Sequence, residues 1–173
     1  MKLFIASDIH GSAYYCRRML EKYRESGAEK LVLLGDILYH GPRNDLPAEY
    51  SPKEVASMLN SIKEKLICVK GNCDSEVDQM MLEFPILSDS AIICWENLII
   101  YACHGHHEIP LLQEGNVVLS GHTHIPADYE KDGVRYLNPG SASIPKENSW
   151  HGYMVLESGV FTWKNFDGEK QNV

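Results

Sequence analysis

The sequence has few of the features that mark secreted, membrane-spanning or nucleic-acid-coating proteins. Basic residues are scarce, with 16 Lys and Arg against 24 Asp and Glu and a formal net charge of -8. This balance argues against a protein that binds nucleic acid by neutralising many phosphates. No apolar run approaches the ~20 residues of a membrane-spanning helix. The run from Leu3 to Ala6 is stopped by Asp8, far short of the core of a signal peptide.

Cysteine is also used sparingly and without a pattern. The five cysteines are odd in number and form no C-x-x-C pair, so neither the disulfide framework of a secreted protein nor a thiolate zinc site is favoured. We therefore expect a soluble, cytoplasmic protein with no membrane contact and no stable nucleic-acid partner. A chain of 173 residues, 44% of them hydrophobic, suits one domain over residues 1–173.

The sequence does contain an alternation of short apolar runs and helical periodicities. Buried strands are predicted at 3–6, 31–34 and 66–69, with one helix over 12–24 and another that begins after the N-cap Ser51. This βαβαβ order predicts a parallel sheet with right-handed crossovers and an α/β fold. After Ser90 helices are scarce, and short strands are predicted at 91–94, 98–103, 117–120, 134–137, 152–156 and 160–163.

Polar residues stand where these strands end. The carboxyl ends of parallel strands share one edge of a sheet, where ligands bind in open α/β folds, so the polar groups are predicted to converge. Taken singly, Asp74 or Ser75 would simply cap a following helix. Such a role does not explain five strand ends in succession with Asp, His or Asn, most of them beside a glycine: Asp8-Ile9-His10-Gly11, Gly35-Asp36, Gly71-Asn72-Cys73-Asp74, His104-Gly105-His106 and Gly121-His122-Thr123-His124.

These residue types predict a metal site that needs no thiolate. Oxygen and imidazole ligands suit Mn²⁺, Fe²⁺, Co²⁺, Ni²⁺ or Zn²⁺, and the candidate ligands are Asp8, His10, Asp36, Asn72, His104, His122 and His124. Seven ligands are too many for one ion. If one carboxylate bridges, however, the seven residues supply four ligands to each of two ions, as in two-metal sites with ions ~3.5–4 Å apart. Two divalent ions beside two carboxylates leave a local positive excess that attracts phosphate. A hydroxide bridging the ions is a nucleophile near neutral pH.

The same motifs, in this order and over nearly the whole chain, resemble the calcineurin-like metallophosphoesterases. This resemblance implies a four-layer α/β/β/α sandwich of two packed mixed sheets flanked by helices. It also implies which ion each ligand binds: Asp36 bridges, one ion takes Asp8, His10 and His124, and the other takes Asn72, His104 and His122.

Three further stretches, 41–44, 71–80 and 138–141, are similar to small bacterial phosphodiesterases of that family. They imply a metal-dependent phosphodiesterase acting on a small-molecule phosphate ester. We expect two divalent ions, manganese first and nickel, cobalt, iron or zinc as the other candidates. A phosphomonoesterase on the same site is the alternative, because spacing alone does not decide between the two ester classes.

Cys73 departs from the family pattern, in which many members have a histidine that faces the substrate. A thiol would serve either as a weak acid or as a small spacer in the pocket wall. Without a strong acid, activated aryl esters should react faster than alkyl esters. Asn72 and His106 complete the predicted catalytic residues, with His106 placed two residues after a ligand.

The segment after the second strand supplies the predicted substrate contacts. His40, Arg43 and Asn44 are placed to reach the pocket rim, where an arginine pairs with phosphate bidentately. The alternative is a solvated loop stiffened by Pro42 and Pro47.

Two other classes of protein are considered. A non-catalytic interaction module of the same fold, like the retromer subunit, would have no need to fill all the ligand positions. A metallo-β-lactamase-type site, which His104 to Glu108 superficially resemble, would leave Asp8 and Asp36 unexplained. A homo-oligomer is also considered, through an apolar patch of Trp150, Tyr153 and Trp163.

Overall fold

The computed structural model describes residues 1–173 and contains two mixed sheets and three α-helices. The first sheet contains β1 (Lys2–Ala6), β2 (Lys30–Leu33), β3 (Leu66–Cys68), β9 (Gly152–Glu157), β10 (Val160–Asn165) and β11 (Lys170–Gln171). The second contains β4 (Ser90–Trp95), β5 (Leu98–Cys103), β6 (Val117–Leu119), β7 (Pro126–Lys131) and β8 (Val134–Pro139). The strand orders are β11-β10-β9-β1-β2-β3 and β4-β5-β6-β8-β7.

The helices all precede the second sheet: α1 (Ala13–Ser26), α2 (Pro52–Asn60) and α3 (Glu76–Met81), with a 3-10 turn at Lys63–Lys65. The Ser12 side chain accepts a hydrogen bond from the N–H of Tyr15 and so caps α1, and Gly27 ends that helix in a left-handed conformation. Ser51 occupies the predicted N-cap of α2, but its side chain makes no capping hydrogen bond. None of the helices is long and apolar enough to cross a membrane.

The predicted parallel pairing of the first three strands is confirmed, and β9 joins the sheet antiparallel to β1. One face of this sheet packs against α1 and α2 through a core that includes Phe4, Met19 and Leu59. Its other face packs on the second sheet through a core that includes Ile5, Ile100 and Trp163. The α/β class with two packed mixed sheets is therefore confirmed.

The outer face of the second sheet is covered by a loop and not by a helix. Ile109 and Leu112 of that loop pack against Cys103, Val118 and Val134. The fourth layer of the sandwich is therefore irregular in this chain.

Two strands and one surface differ from the predictions. The strand β7 has four exposed residues and begins with a proline, so it lacks the apolar alternation that reveals a strand. The two-residue β11 is too short to give a pattern. The predicted oligomer patch is wrong, because Tyr153 and Trp163 are 3% and 5% exposed and lie in the core.

Candidate metal centre

The seven predicted ligands lie together at the carboxyl ends of β1, β2, β3, β5 and β6. Asp8, His10, Asp36, His104 and His124 are all buried. His122 is half-buried and Asn72 is exposed, so these two border the solvent. The topology explains the convergence, since three parallel strands of one sheet and two of the other end at the same side of the sandwich.

One half of the centre is formed by Asp8, His10 and His124. The two imidazole Nε2 atoms lie 3.2 Å apart. Asp8 Oδ1 lies 3.6 Å from the Nε2 of His10 and 3.3 Å from that of His124. The three ligand atoms are thus close enough to share one ion.

The other half is formed by Asp36, Asn72, His104 and His122. Nε2 of His104 lies 3.0 Å from Asn72 Oδ1 and 3.4 Å from Asp36 Oδ2. The ring of His122 lies 5.1 Å from that of His104. Asp36 Oδ2 is also 3.6 Å from His10 Nε2, so its carboxylate reaches both halves.

Three of the histidines are oriented by carbonyl oxygens behind them. Nδ1 of His10 lies 2.8 Å from the carbonyl oxygen of Tyr39, and Nδ1 of His104 and His124 lie 2.6 Å from those of Leu34 and Ile144. A carbonyl oxygen only accepts, so each Nδ1 carries a proton, and Nε2 is the ring nitrogen that faces the centre and could bind a metal ion. Metal-binding histidines in proteins are oriented in this way.

The charges of the site favour cations. Burial would raise the pKa of Asp8, but the neighbouring imidazoles of His10 and His124 hold it well below its usual range. Burial would lower the pKa of His104, but the Asp36 carboxylate raises it to about 9. Both carboxylates therefore stay ionised and draw positive charge to the space between them.

The backbone at these ligands is unusual. Five of them adopt the left-handed region, with φ angles of 57° at Asp8, 49° at His10, 55° at Asp36, 67° at His122 and 61° at His124. For residues other than glycine this conformation is uncommon and costs roughly 1–3 kcal/mol, and it clusters at functional sites. The strain lets successive side chains turn inward at the end of a strand.

Glycines allow the ligand loops to approach each other. A Cβ atom on Gly71 would lie 2.1 Å from Asp36 Oδ1, and one on Gly121 would lie 2.0 Å from Ser7 Oγ and 2.9 Å from Asp8 Oδ2. Neither position has room for a side chain. The glycines noted in the sequence therefore serve close packing around the two carboxylates.

Two sets of supporting residues were not predicted to act on the site. The carboxylate of Asp74 accepts hydrogen bonds from the backbone N–H groups of Asp36, Ile37 and Gly71 at 2.7–2.8 Å. It does not cap α3, which begins instead with a capping box between Ser75 and Asp78.

The second supporting set holds the first ligand loop. The hydroxyls of Ser141 and Ser143 donate to the carbonyl oxygen of Asp8 at 2.9 and 3.0 Å. The Asn138 amide donates to the carbonyl oxygen of Gly121 at 2.8 Å. The Asn-Pro-Gly-Ser segment that begins with the last two residues of β8 was visible in the sequence, but nothing in it indicated these partners.

A cavity of about 400 Å³ opens onto the centre. Besides four of the ligands it is lined by Gly41, Pro42, Arg43, Asn44, Cys73, Thr123 and Lys146. Arg43 and Asn44 thus border the site as the sequence placed them, and Lys146 is a second cation that sequence reasoning missed. His40 does not line this cavity, and its ring packs 5.2 Å from that of Tyr50.

The two other predicted catalytic side chains flank the ligands. The Cys73 thiol lies within 4.8 Å of ligand atoms of His10 and Asp36, and burial, with Asp36 adding to it, raises its pKa to about 12. The ring of His106 lies 5.3 Å from His104 and 6.0 Å from His122. It lines a neighbouring cavity of about 390 Å³ that also includes His104.

The donor set fits a pair of divalent ions. Asp8 Oδ1 is buried and accepts no hydrogen bond, which is costly unless a cation neutralises it. The Nε2 atoms of two imidazoles also face each other across 3.2 Å. Carboxylate, amide and imidazole donors around one short space are the ligands that Mn²⁺, Fe²⁺, Co²⁺, Ni²⁺ and Zn²⁺ accept.

Comparisons with known proteins agree with this geometry. The chain is 45% identical to "Phosphodiesterase YfcE" of Escherichia coli over 166 residues, 94% of this chain and 90% of the relative. It is 26% identical to "Phosphodiesterase MJ0936" of Methanocaldococcus jannaschii, covering 81% and 83% of the two chains.

Solved structures give the same result. The structure of E. coli YfcE, described as a phosphoesterase, superposes with a TM-score of 0.95 at 43% identity, covering 98% of this chain and 96% of that one. A zinc complex of Vps29 from Entamoeba histolytica has a TM-score of 0.60 at 20% identity, covering 94% and 89%, and shares the fold. The model of the calcineurin-like phosphoesterase superfamily domain matches residues 1–159, and the chain therefore belongs to the calcineurin-like phosphoesterase superfamily.

Proposed function

We propose that this chain is a phosphodiesterase with a binuclear metal centre, which hydrolyses a small-molecule phosphodiester. The observation that carries the proposal is the convergence of two ionised carboxylates, four imidazoles and one amide beside a cavity with cations on its rim. The 45% identity to a protein named a phosphodiesterase supports the choice of ester.

The ligands are proposed to divide into two groups. Asp8, His10 and His124 would hold one ion, and Asn72, His104 and His122 the other, with Asp36 shared because its Oδ2 lies near both His10 and His104. When bound, the ions would supply an activated water as nucleophile and would polarise the phosphoryl oxygens. Manganese is the proposed metal, with nickel, cobalt, iron or zinc as substitutes.

The other residues of the cavity are proposed to bind and orient the ester. Arg43 forms no ion pair within the chain, so its guanidinium is available to a phosphate oxygen. Lys146 and Asn44 border the same cavity and would contact the remaining oxygens. The His40 side chain is not proposed to contact the substrate. Its carbonyl oxygen accepts a hydrogen bond from Asn44 Nδ2 at 2.8 Å and would help to position Asn44.

Two side chains are proposed to assist the leaving group. The Cys73 thiol, within 4.8 Å of ligand atoms of His10 and Asp36, would donate a proton to poor leaving groups. Asn72 donates its Nδ2 proton toward the Cys73 sulfur at 3.3 Å and so orients the thiol. His106 would act from the neighbouring cavity as a contact to the phosphate.

The alternatives are less well supported. A monoester carries two negative charges, and the cavity offers only Arg43 and Lys146 as cations. A non-catalytic module like Vps29 would not need all seven ligand positions filled. We also infer a cytoplasmic location, since the cysteines are all unpaired.

A homo-oligomer is proposed through β4 and not through the tryptophans. This strand lies at the edge of the second sheet and contains no charged residue or proline within Ser90–Trp95. Ile92 on it is 70% exposed. Edge strands without such protection pair with other strands, so a second copy is the proposed partner. Sedimentation should show that Ile92→Lys lowers the oligomeric state, and an unchanged state would rule out this interface.

The enzymatic proposal is tested by metal removal. The protein is treated with a chelator, and Mn²⁺, Ni²⁺, Co²⁺, Fe²⁺ or Zn²⁺ is added back singly before turnover of bis-p-nitrophenyl and mono-p-nitrophenyl phosphate is measured. We expect loss of activity on chelation, recovery with Mn²⁺ and a preference for the diester. Faster turnover of the monoester would favour the phosphomonoesterase, and no metal-dependent turnover of either ester would exclude an esterase.

A further inference from the structure

A second and larger cavity of about 670 Å³ adjoins the metal centre. Its lining shares Pro42, Arg43, Asn72 and Cys73 with the cavity of the metal site. The Cys73 thiol at this junction lies within 4.8 Å of two metal-ligand side chains. An organic group in the second cavity could therefore be bonded directly to a phosphate that lies at the metal centre.

The inner wall of this cavity is aromatic and rigid. The Tyr50 ring packs so closely on Gly11 that a Cβ there would lie 2.5 Å from the ring. The backbone of Tyr50 also pairs with Ser12, and the N–H of Ser51 donates to the Gly11 carbonyl at 2.8 Å. Gly11 directly follows the ligand His10, so the ring is fixed relative to the metal centre.

The outer wall is apolar but open to solvent. Tyr39 is 42% exposed and Val77, on α3, is 66% exposed, although both line the cavity. The backbone of Tyr39 is itself tied to the centre, because its carbonyl oxygen accepts the His10 Nδ1 proton at 2.8 Å. Tyr39, Tyr50 and Val77 thus line one cavity, here called the slot, whose apolar side chains offer contacts to an aromatic group.

Two carboxylates and one cation line the slot, and both carboxylates accept hydrogen bonds from groups within the chain. The Asp78 carboxylate accepts bonds from the N–H and hydroxyl of Ser75, and Asp74 is occupied by three backbone N–H groups. Arg43 stands where the two cavities meet. A negative phosphate would therefore lie toward Arg43 and the metal centre, away from the two carboxylates, with its substituent among the apolar side chains of the slot.

We infer that this slot binds one organic substituent of the phosphodiester, and that the substituent is aromatic: an aryl ring or a nucleobase. The inference rests on the proposed phosphodiesterase activity and adds the substrate class. It explains how a diester fits, since the phosphate occupies the smaller cavity while one substituent enters the slot. A phosphate ester with only small alkyl groups would leave both aromatic walls without a contact.

The test is a series of diesters with one common leaving group. The p-nitrophenyl diester of methyl phosphate, that of phenyl phosphate and that of thymidine 5′-phosphate are compared with the manganese-loaded protein. We expect kcat/KM for the phenyl and thymidine esters to exceed that of the methyl ester by about tenfold, the upper end of one aromatic contact. Because p-nitrophenyl is itself aromatic, equal values for the three esters together with equal binding of phenylphosphonate and methylphosphonate would overturn the inference.

Variants locate the effect. Tyr39→Ala and Val77→Ser together should remove most of the preference by raising KM more for the aromatic esters than for the methyl ester. Met80→Ser is the matched control, because Met80 is 81% exposed on the same helix and does not line the slot. An effect of Met80→Ser equal to that of Val77→Ser would contradict the assignment.

A binding measurement separates this inference from the proposed function. Calorimetry would compare phenylphosphonate with methylphosphonate on wild-type protein and on the Tyr39→Ala, Val77→Ser variant. Tighter binding of phenylphosphonate to wild type alone supports the slot even if no ester is turned over. If the esters are turned over but neither the rate nor the binding shows an aromatic preference, the inference about the slot is wrong and the proposed esterase activity still stands.

Discussion

One carboxylate oxygen of Asp74 accepts hydrogen bonds from the backbone N–H groups of both Asp36 and Gly71, at 2.8 and 2.7 Å. Asp74 thereby joins the loop after β2 to the loop after β3, and it touches no ligand side chain. Its other oxygen accepts the N–H of Ile37 at 2.8 Å. Burial raises the pKa of Asp74 to about 6. Asp74 thus positions the backbone of Asp36, the residue proposed to bridge the two ions.

Asp74→Asn should loosen these loops, because an amide offers one acceptor oxygen and turns an N–H toward a backbone donor. We expect the free energy of unfolding to fall by about 1–3 kcal/mol and manganese affinity to weaken 10–100-fold. Urea denaturation and metal titration measure the two effects. Asp45→Asn, at an exposed site, is the control. Lower stability with unchanged metal affinity would make Asp74 purely structural.

Asp36→Asn tests the bridge. The amide keeps the shape of the side chain but removes the negative charge that faces both His10 and His104. Turnover of bis-p-nitrophenyl phosphate should fall by at least about a hundredfold, since even outer residues of metal sites cost 10–100-fold. Metal content by mass spectrometry should drop in parallel. Full metal content with full activity would exclude a bridging role.

Gly71→Ala tests the close approach of the loops. The new methyl group would lie 2.1 Å from Asp36 Oδ1 and would displace that carboxylate. We expect Gly71→Ala to weaken manganese binding strongly and to lower the thermal midpoint of unfolding only modestly. Gly159→Ala provides the comparison, since its φ of +77° is strained but nothing lies within 4 Å. Equal metal affinity in the two variants would show that the loop accommodates the methyl.

Cys73→Ala tests the proton donor. Turnover of a p-nitrophenyl leaving group should change less than about threefold, while an alkyl leaving group, which needs an acid, should slow by about tenfold or more. The measurement is the dependence of the rate on the leaving-group pKa in both proteins. Parallel dependences would identify Cys73 as a spacer.

His151 gives the fold a pH dependence away from the metal centre. Its ring stacks on Tyr15 at 4.0 Å, and its Nε2 lies 2.9 Å from the Tyr15 hydroxyl. Burial lowers the pKa of His151 below its ordinary value, although the hydrogen bond to the Ala142 carbonyl opposes this. Neutral His151 therefore makes its full contribution to the free energy of unfolding above its unfolded-state pKa of about 6.5. That contribution is lost as the pH falls from this value to the lower pKa of the folded state.

We expect His151→Gln to reduce the loss of stability between pH 7.5 and pH 5.5. The glutamine amide keeps a donor for Ala142 and an acceptor for Tyr15 but does not titrate in this range. The pH dependence of stability is measured from thermal midpoints in the presence of a chelator, so that metal binding does not interfere. His107→Gln is the control at an exposed position. The same pH dependence in His151→Gln and wild type would assign the effect to other groups.

The sequence predicted the strands that have a strong apolar pattern and missed those that do not. The parallel pairs β1-β2 and β2-β3 follow from short buried runs joined by helices. The exposed β7 gave no such pattern. The strand order of the second sheet could not be predicted from the sequence either, because the position of β8 between β6 and β7 depends on packing between distant segments.

By itself the sequence predicted which polar residues converge, because Asp8, His10, Asp36 and the other candidate ligands follow strands that parallel topology brings to one side. Only the tertiary structure decided what surrounds that set. Asp74 proved to join two ligand loops, the predicted aromatic patch proved to be core, and Tyr39 and Tyr50 proved to line a second cavity. The physical reason is that strand and helix periodicities record local burial, whereas these contacts form between segments whose distance in the chain leaves no local pattern.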